Sequence, residues 1–115
     1  MLSQKFRLNK DFEIRRVWRF GKKLETDFAS LRFVRIFDQP FSRFAFVASK
    51  KIGNAVVRHR TLRLLREAVR QKMEMLRGNF WAVVTAKKSL TEKKLNDVLP
   101  QIEFLLGKMN SLNNV

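Results

Sequence analysis

The chain has 115 residues, 25 of them Lys or Arg against 10 Asp or Glu, for a formal net charge of +15 and a pI near 11.4. That length fits one domain, and a hydrophobic content of 45% with 11 Phe and 2 Trp excludes a disordered basic tail. The absence of cysteine excludes disulfides, thiolate metal sites and a thiol nucleophile, while the excess positive charge calls for an anionic partner, nucleic acid ahead of an acidic membrane or protein surface.

Met1 to Arg7 contains no apolar run of the secretory type. No stretch approaches the roughly 20 apolar residues of a membrane span. A soluble, cytoplasmic protein is expected. Residues 10–20 then read as a first helix, with Asp11 as N-cap and Gly21 as stop. Ile14, Val17 and Trp18 recur at helical spacing, and Arg15, Arg16 and Arg19 fill the other positions.

Strand chemistry follows. Leu31, Phe33, Val34 and Ile36 partly alternate with Ser30, Arg32 and Arg35, and Asp38-Gln39-Pro40 signals a turn. Phe44 to Ala48 is a second short strand, and a third in this region cannot be placed from the pattern. Residues 55–77 predict the longest helix. Leu62, Leu65, Val69, Met73 and Leu76 form an apolar seam, widened by Leu64, Ala68 and Met75. Opposite them, His59, Arg63, Arg66, Arg70 and Arg77 make a basic stripe, about 20 Å long from Arg63 to Arg77 at 1.5 Å per residue.

Phe80 to Ala86 reads as a strand covered on both faces. A last helix begins at a Ser89 or Thr91 cap, carries Leu95, Val98, Leu99, Ile102, Leu105 and Leu106 on one side, and is kinked or broken at Pro100. Gly107 is its natural end, giving one domain over residues 1–108 and a frayed tail from 109 to 115. The order of helix, strands, helix, strand, helix describes an α+β sandwich with helices against one small sheet.

Catalytic chemistry finds little purchase. The single histidine, His59, has no carboxylate at i±3 or i±4 to orient it as a base. No zinc-protease, Walker A or dinucleotide motif is present, and the scattered carboxylates do not suggest a metal cage. The basic segment is more informative. From Lys50 to Arg77, nine Lys or Arg stand against Glu67 and Glu74 alone, which is nearly half the net charge in a quarter of the chain. A solvated salt-bridge lattice would place a carboxylate four residues from each cation. Arg dominates the stripe, and its planar fork suits phosphate. Most aromatics should be core, but Trp18 and Phe20, flanking Arg19, are better placed to stack bases than Phe80 or Trp81.

The run from Ser49 to Glu67, S-K-K-I-G-N-A-V-V-R-H-R-T-L-R-L-L-R-E, resembles the family pattern S-K-K-x-G-N-A-V-x-R-N-R-x-K-R-x-x-R-E of the bacterial ribonuclease P protein subunit. Arg7-Leu8 followed by Ile14, Val17-Trp18 and Gly21 resembles that family's opening, and Phe80 to Lys88 resembles its apolar strand. Three positions depart from the pattern: His59 replaces Asn, Leu62 replaces Lys, and Ile14 replaces an aromatic.

The resemblance implies a single two-layer sandwich of order α-β-β-β-α-β-α, like the second domain of ribosomal protein S5. It also implies a left-handed βαβ crossover, an exception to the usual hand. It further implies a role in removing the 5′ leader of precursor tRNA, with a catalytic RNA subunit holding Mg²⁺ and no catalytic residue in the protein. Lys50, Lys51, Asn54, Arg58, His59, Arg60, Arg63, Arg66 and Arg70 would face the ribonuclease P RNA. Ile14, Val17 and Trp18, with Arg32 or Phe33 from the first strand, would line the leader cleft. Neither a membrane nor DNA is an expected partner. The competing reading is a non-enzymatic ribosomal or ribosome-assembly RNA-binding protein with the same charge logic.

Overall fold

The structure, a computed structural model, describes residues 3–112. Its elements run α1 (Asp11–Phe20), β1 (Lys22–Glu25), β2 (Ala29–Arg35), β3 (Arg43–Val47), α2 (Ala55–Lys72), β4 (Phe80–Ala86) and α3 (Leu95–Leu112), with short 3-10 turns between some of them. The expected order holds, and the unplaced strand is β1, directly after α1. Gly21 makes that junction possible. A Cβ there would sit 2.3 Å from the Val17 carbonyl oxygen, and the Gly21 N–H donates to that same oxygen to close the helix.

One mixed sheet has the strand order β1-β2-β4-β3. β1 and β2 are antiparallel, as are β2 and β4, while β3 lies parallel to β4. Parallel neighbours need a crossover, and α2 supplies it. β4 sits between β2 and β3, covered on both sides, which accounts for its near-continuous apolar sequence.

Alternation along the strands sorts side chains to two faces. Leu31 and Phe33 of β2 with Phe80, Ala82 and Val84 of β4 pack against Leu65, Ala68 and Val69 of α2 and Ile102, Leu105 and Leu106 of α3. Full burial of each large side chain contributes about 1.5–3 kcal/mol. Trp81 and Val83 point the other way, joining Val34 and Ala45 beneath Val17 and Ile14 of α1. Thus α1 crosses the face opposite α2 and α3, and a partial third layer joins the two expected.

Several element ends differ from the sequence reading. The N-cap of α1 is Lys10, without a side-chain cap, and Asp11 and Glu13 occupy the first turn, where the helix dipole favours carboxylates. Glu13 is buried and pairs with Arg43 of β3 at 2.8 Å, while Arg43 also donates to the Arg7 carbonyl at 2.8 and 3.2 Å. These bonds strap the N-terminal segment and α1 to β3.

At the other end, α2 stops at Lys72 and passes into a 3-10 turn, Met73–Met75, so Arg77 lies beyond the basic stripe. Ser89 and Thr91 fall in a 3-10 turn, Lys88–Glu92, that buries Leu90. α3 begins after it, with Asp97 Oδ2 accepting from the Lys94 N–H at 3.0 Å. Pro100 lies inside an unbroken helix, where it removes only the bond to the Asn96 carbonyl. α3 also runs through Gly107 to Leu112, and Met109 is fully buried. Asn110 explains why the helix does not fray there. Its side chain accepts from the Arg77 N–H at 2.8 Å and donates to the Met75 carbonyl at 2.9 Å. Of the expected tail, 113–115 lie outside the described residues.

Candidate nucleic-acid interface

The first surface is the outward side of α2 and the turn leading into it. The 3-10 turn Lys50–Ile52 buries Ile52 and leaves Lys50 and Lys51 exposed. Asn54 is the N-cap of α2, its Oδ1 accepting from the Val57 N–H at 3.0 Å. That cap contributes about 1 kcal/mol and leaves the amide N–H₂ for other contacts. Val56, His59, Arg60 and Arg63 line a shallow groove of about 530 Å³ with Ala55.

The predicted cations are not equally available. Arg60 donates through Nη2 to the Thr91 carbonyl at 2.7 Å, which anchors the turn before α3. Arg70 closes its fork on Glu67, with Nε 2.9 Å from Oε2 and Nη2 on Oε1, and Gln71 adds a third bond to that carboxylate. Those bonds lower the Glu67 carboxyl to about 2, the hydrogen bond from Arg70 first and that from Gln71 second. Arg58 and Arg66 are half-buried. Arg66 lies 5.9 Å from the Phe46 ring centroid, and burial first, then the charge of Arg7, pushes its guanidinium below the ordinary value. An anion there would relieve the repulsion. Among the described residues the side chains of Lys50, Lys51, His59 and Arg63 have no partner. The stripe is therefore a shorter, partly self-engaged patch.

The second surface lies across the sheet, beside α1. Trp18 is 44% exposed, and the Arg32 guanidinium lies 5.4 Å from its ring centroid. Ile14 is half-buried against the α1 core, one helical turn before Trp18. Val17 and Phe33 do not belong to this cleft. Val17 is fully buried beneath α1, and Phe33, 4% exposed, points to the opposite face, edge-to-face with Phe80 at 5.6 Å. Strand alternation decides between the two candidates on β2: Arg32 faces α1, and Phe33 cannot.

The floor beside Arg32 holds two residues the sequence reading missed. Ser30 is paired in register with Thr85 of β4 on the α1 face, and Thr85 Oγ1 is buried without a hydrogen-bond partner. Their signal was the same alternation that selects Arg32. A groove of about 820 Å³ runs along α1, lined by Phe12, Arg15, Arg16, Trp18, Arg19, Phe20 and Val34. Phe12 was missed, because an apolar residue on the polar flank of a helix reads as an isolated exception.

Among the described residues no three His, Asp or Glu side chains converge as a metal cage, and no helix is long and apolar enough to cross a membrane. Among the described residues, the two surfaces offer cations without a partner, a guanidinium over an indole ring, and two small hydroxyl side chains. That is the chemistry of phosphate and base recognition.

Comparison with known proteins bears on which nucleic acid is meant. The ribonuclease P family model matches residues 2–110. The ribonuclease P protein component of Bacillus velezensis is 36% identical over 111 residues, covering 93% of this chain and 91% of the relative. That of Fusobacterium nucleatum is 35% identical over 85 residues, covering 74% and 76%. The solved ribonuclease P protein of Thermotoga maritima superposes with a TM-score of 0.76 at 25% identity, covering 89% of this chain and 96% of that one. These likenesses favour ribonuclease P over the ribosome-assembly reading. The chain belongs to the bacterial ribonuclease P protein family, and is thus the protein subunit of an endoribonuclease of tRNA processing.

Proposed function

We propose that this single domain binds two RNAs on opposite faces of its sheet. The outward side of α2, with Lys50, Lys51, Asn54, Arg58, His59, Arg63 and Arg66, docks on the ribonuclease P RNA. Arg60 and Arg70 flank that contact while holding the fold. The cleft of Ile14, Trp18 and Arg32, floored by Ser30 and Thr85, takes the single-stranded 5′ leader of precursor tRNA. A leader base stacks on Trp18, and Arg32 meets the adjoining phosphate.

The observation that carries this reading is the placement of the Trp18–Arg32 pair on one face of the sheet and the unpaired α2 cations on the other. One domain so arranged can bridge a catalytic RNA and its substrate. Phosphodiester hydrolysis would belong to the RNA subunit, and Mg²⁺ held there would supply water activation and charge stabilisation. This chain's part is electrostatic and positional: it neutralises phosphates where the two RNAs approach, and holds the leader in register with the cleavage site. The complex works in the cytoplasm, on newly made tRNA precursors.

Reconstitution tests both halves. Mixed with a bacterial ribonuclease P RNA and labelled precursor tRNA at low Mg²⁺, the protein raises cleavage and substrate affinity. No gain in either quantity would sink the proposal. Trp18→Ala weakens binding of leader-bearing substrate by about tenfold and leaves mature tRNA affinity as it was. Equal losses on both would mean that Trp18 does not contact the leader.

A further inference from the structure

The groove along α1 continues past Trp18 onto the side of the helix that turns away from the Trp18–Arg32 pair, and carries a further aromatic and cationic row there. Trp18 and Phe20 project to opposite sides of the helix, since each residue turns by about 100°. Phe12, Arg16 and Phe20 are spaced four apart and lie in one row, about 12 Å long at 1.5 Å per residue. Phe12 is 58% and Phe20 69% exposed, and Phe37, just past β2, is 83% exposed. Phe20 and Phe37 share a depression of about 340 Å³ with Lys22 and Arg35.

Packing does not account for these rings. None of the three joins either core cluster, and exposed apolar patches of this kind mark interaction sites. Each ring has a cation at its side: Lys10 at 6.0 Å from Phe12, Arg19 at 5.4 Å from Phe20, and Arg35 at 4.9 Å from Phe37. Among the described residues Arg16, Arg19 and Arg35 have no carboxylate partner.

Exposed rings interleaved with unpaired guanidiniums suit single-stranded nucleic acid, in which bases take the ring faces and phosphates the cations. A second copy of this chain suits the row poorly, because a two-fold contact would set the same arginines against each other. We propose that this flank is a second single-stranded RNA track, taking the part of the leader that leaves the cleft and passes over the end of α1 onto Phe20 and Phe37. The identity of the RNA rests on the cleft reading above; the chemistry of the row does not.

The test compares the parent holoenzyme with one carrying Phe12→Ser and Phe20→Ser, two solvent-facing changes that leave both cores intact. Three ligands are titrated: mature tRNA, a precursor whose leader ends in the cleft, and a precursor whose leader is long enough to cross α1. The double variant matches the parent on the first two and binds the long-leader precursor about tenfold more weakly. Arg16→Ala keeps the rings and lowers the log–log salt slope for the long leader by about 0.7.

Unchanged affinity for the long leader overturns the proposal. So does an equal loss on all three ligands, which would place the defect in folding or in docking to the catalytic RNA. An altered monomer–dimer equilibrium or anionic-vesicle binding, with leader affinity unmoved, also overturns it and assigns the row to protein or lipid. Trp18→Ala separates the two readings: if it spares the short leader while the double variant still loses the long one, the track stands and the cleft falls.

Discussion

α1 and α2 are both rich in arginine, yet they hold their cations differently. On α2 the residues of the densest motif divide their work. Asn54 caps the helix, Arg60 anchors the turn before α3, and Arg70 is clamped by Glu67. On α1, Arg15, Arg16 and Arg19 have no such duties among the described residues, and stand beside exposed aromatic rings. Charge density in a sequence thus measures demand for anions poorly where the fold itself consumes cations. The helix with fewer arginines offers as many unengaged ones. The two surfaces are separable, since α1 and α2 meet opposite faces of the sheet.

The largest expected effect tests that separability. Glu13 and Arg43 are mostly buried and tie α1 to β3. Glu13→Ala leaves the Arg43 guanidinium uncompensated and destabilises the protein by about 3 kcal/mol. Because the strap belongs to the α1 layer, leader discrimination falls further than affinity for the ribonuclease P RNA when both are measured below the melting transition. A parallel loss of both would show that the layers are not energetically distinct.

Smaller, and confined to the other surface, is the effect of replacing Arg63 and Arg66 together with Ala. Among the described residues neither has a carboxylate partner, so stability changes little. Affinity for the ribonuclease P RNA falls, and the log–log salt slope flattens by about 0.7–0.9 for each lost phosphate contact. Binding isotherms across a salt series give the slope directly. An unchanged slope would mean that this side of α2 faces solvent in the complex.

How much of this was legible in sequence depended on whether one residue's environment was set locally. α2 and β4 announce themselves by periodicity and a long apolar run, because each buries a whole face against the sheet. β1 could not be placed, since Lys-Lys-Leu-Glu contributes only Leu24, half-buried, to the core; its strand character comes from register with β2. The end of α3 was misread for the opposite reason. Gly107 and Pro100 carry strong local signals, but burial of Met109 and the Asn110 clasp on the turn after α2 outweigh them.

Within the candidate site, the α2 cations were visible by motif, whereas their engagement was not. Bonds such as Arg60 to the Thr91 carbonyl span 31 residues. At the cleft, the helical repeat put Val17 beside Trp18 without saying that one is core and the other exposed. Only the sheet's alternation separates Arg32 from Phe33.

The smallest effect follows from the Glu67–Arg70 clamp and has a defined sign in pH. In the folded protein the Glu67 carboxyl lies at about 2 instead of the ordinary 4.5. A carboxylate lowered on folding stabilises the native state fully above its unfolded value, and that contribution is lost as pH falls from about 4.5 toward 2. Glu67→Gln removes this part of the acid limb, so the melting temperature of the variant declines less between pH 5 and pH 3 than that of the parent. The clamp is solvent-accessible, and the difference is correspondingly small. At neutral pH the same substitution releases the Arg70 fork and adds one available cation to the α2 surface. RNA affinity then rises slightly, with a steeper salt slope. If the slope stays at the parent's value, Arg70 lies outside the RNA contact, and the α2 patch ends at Arg66.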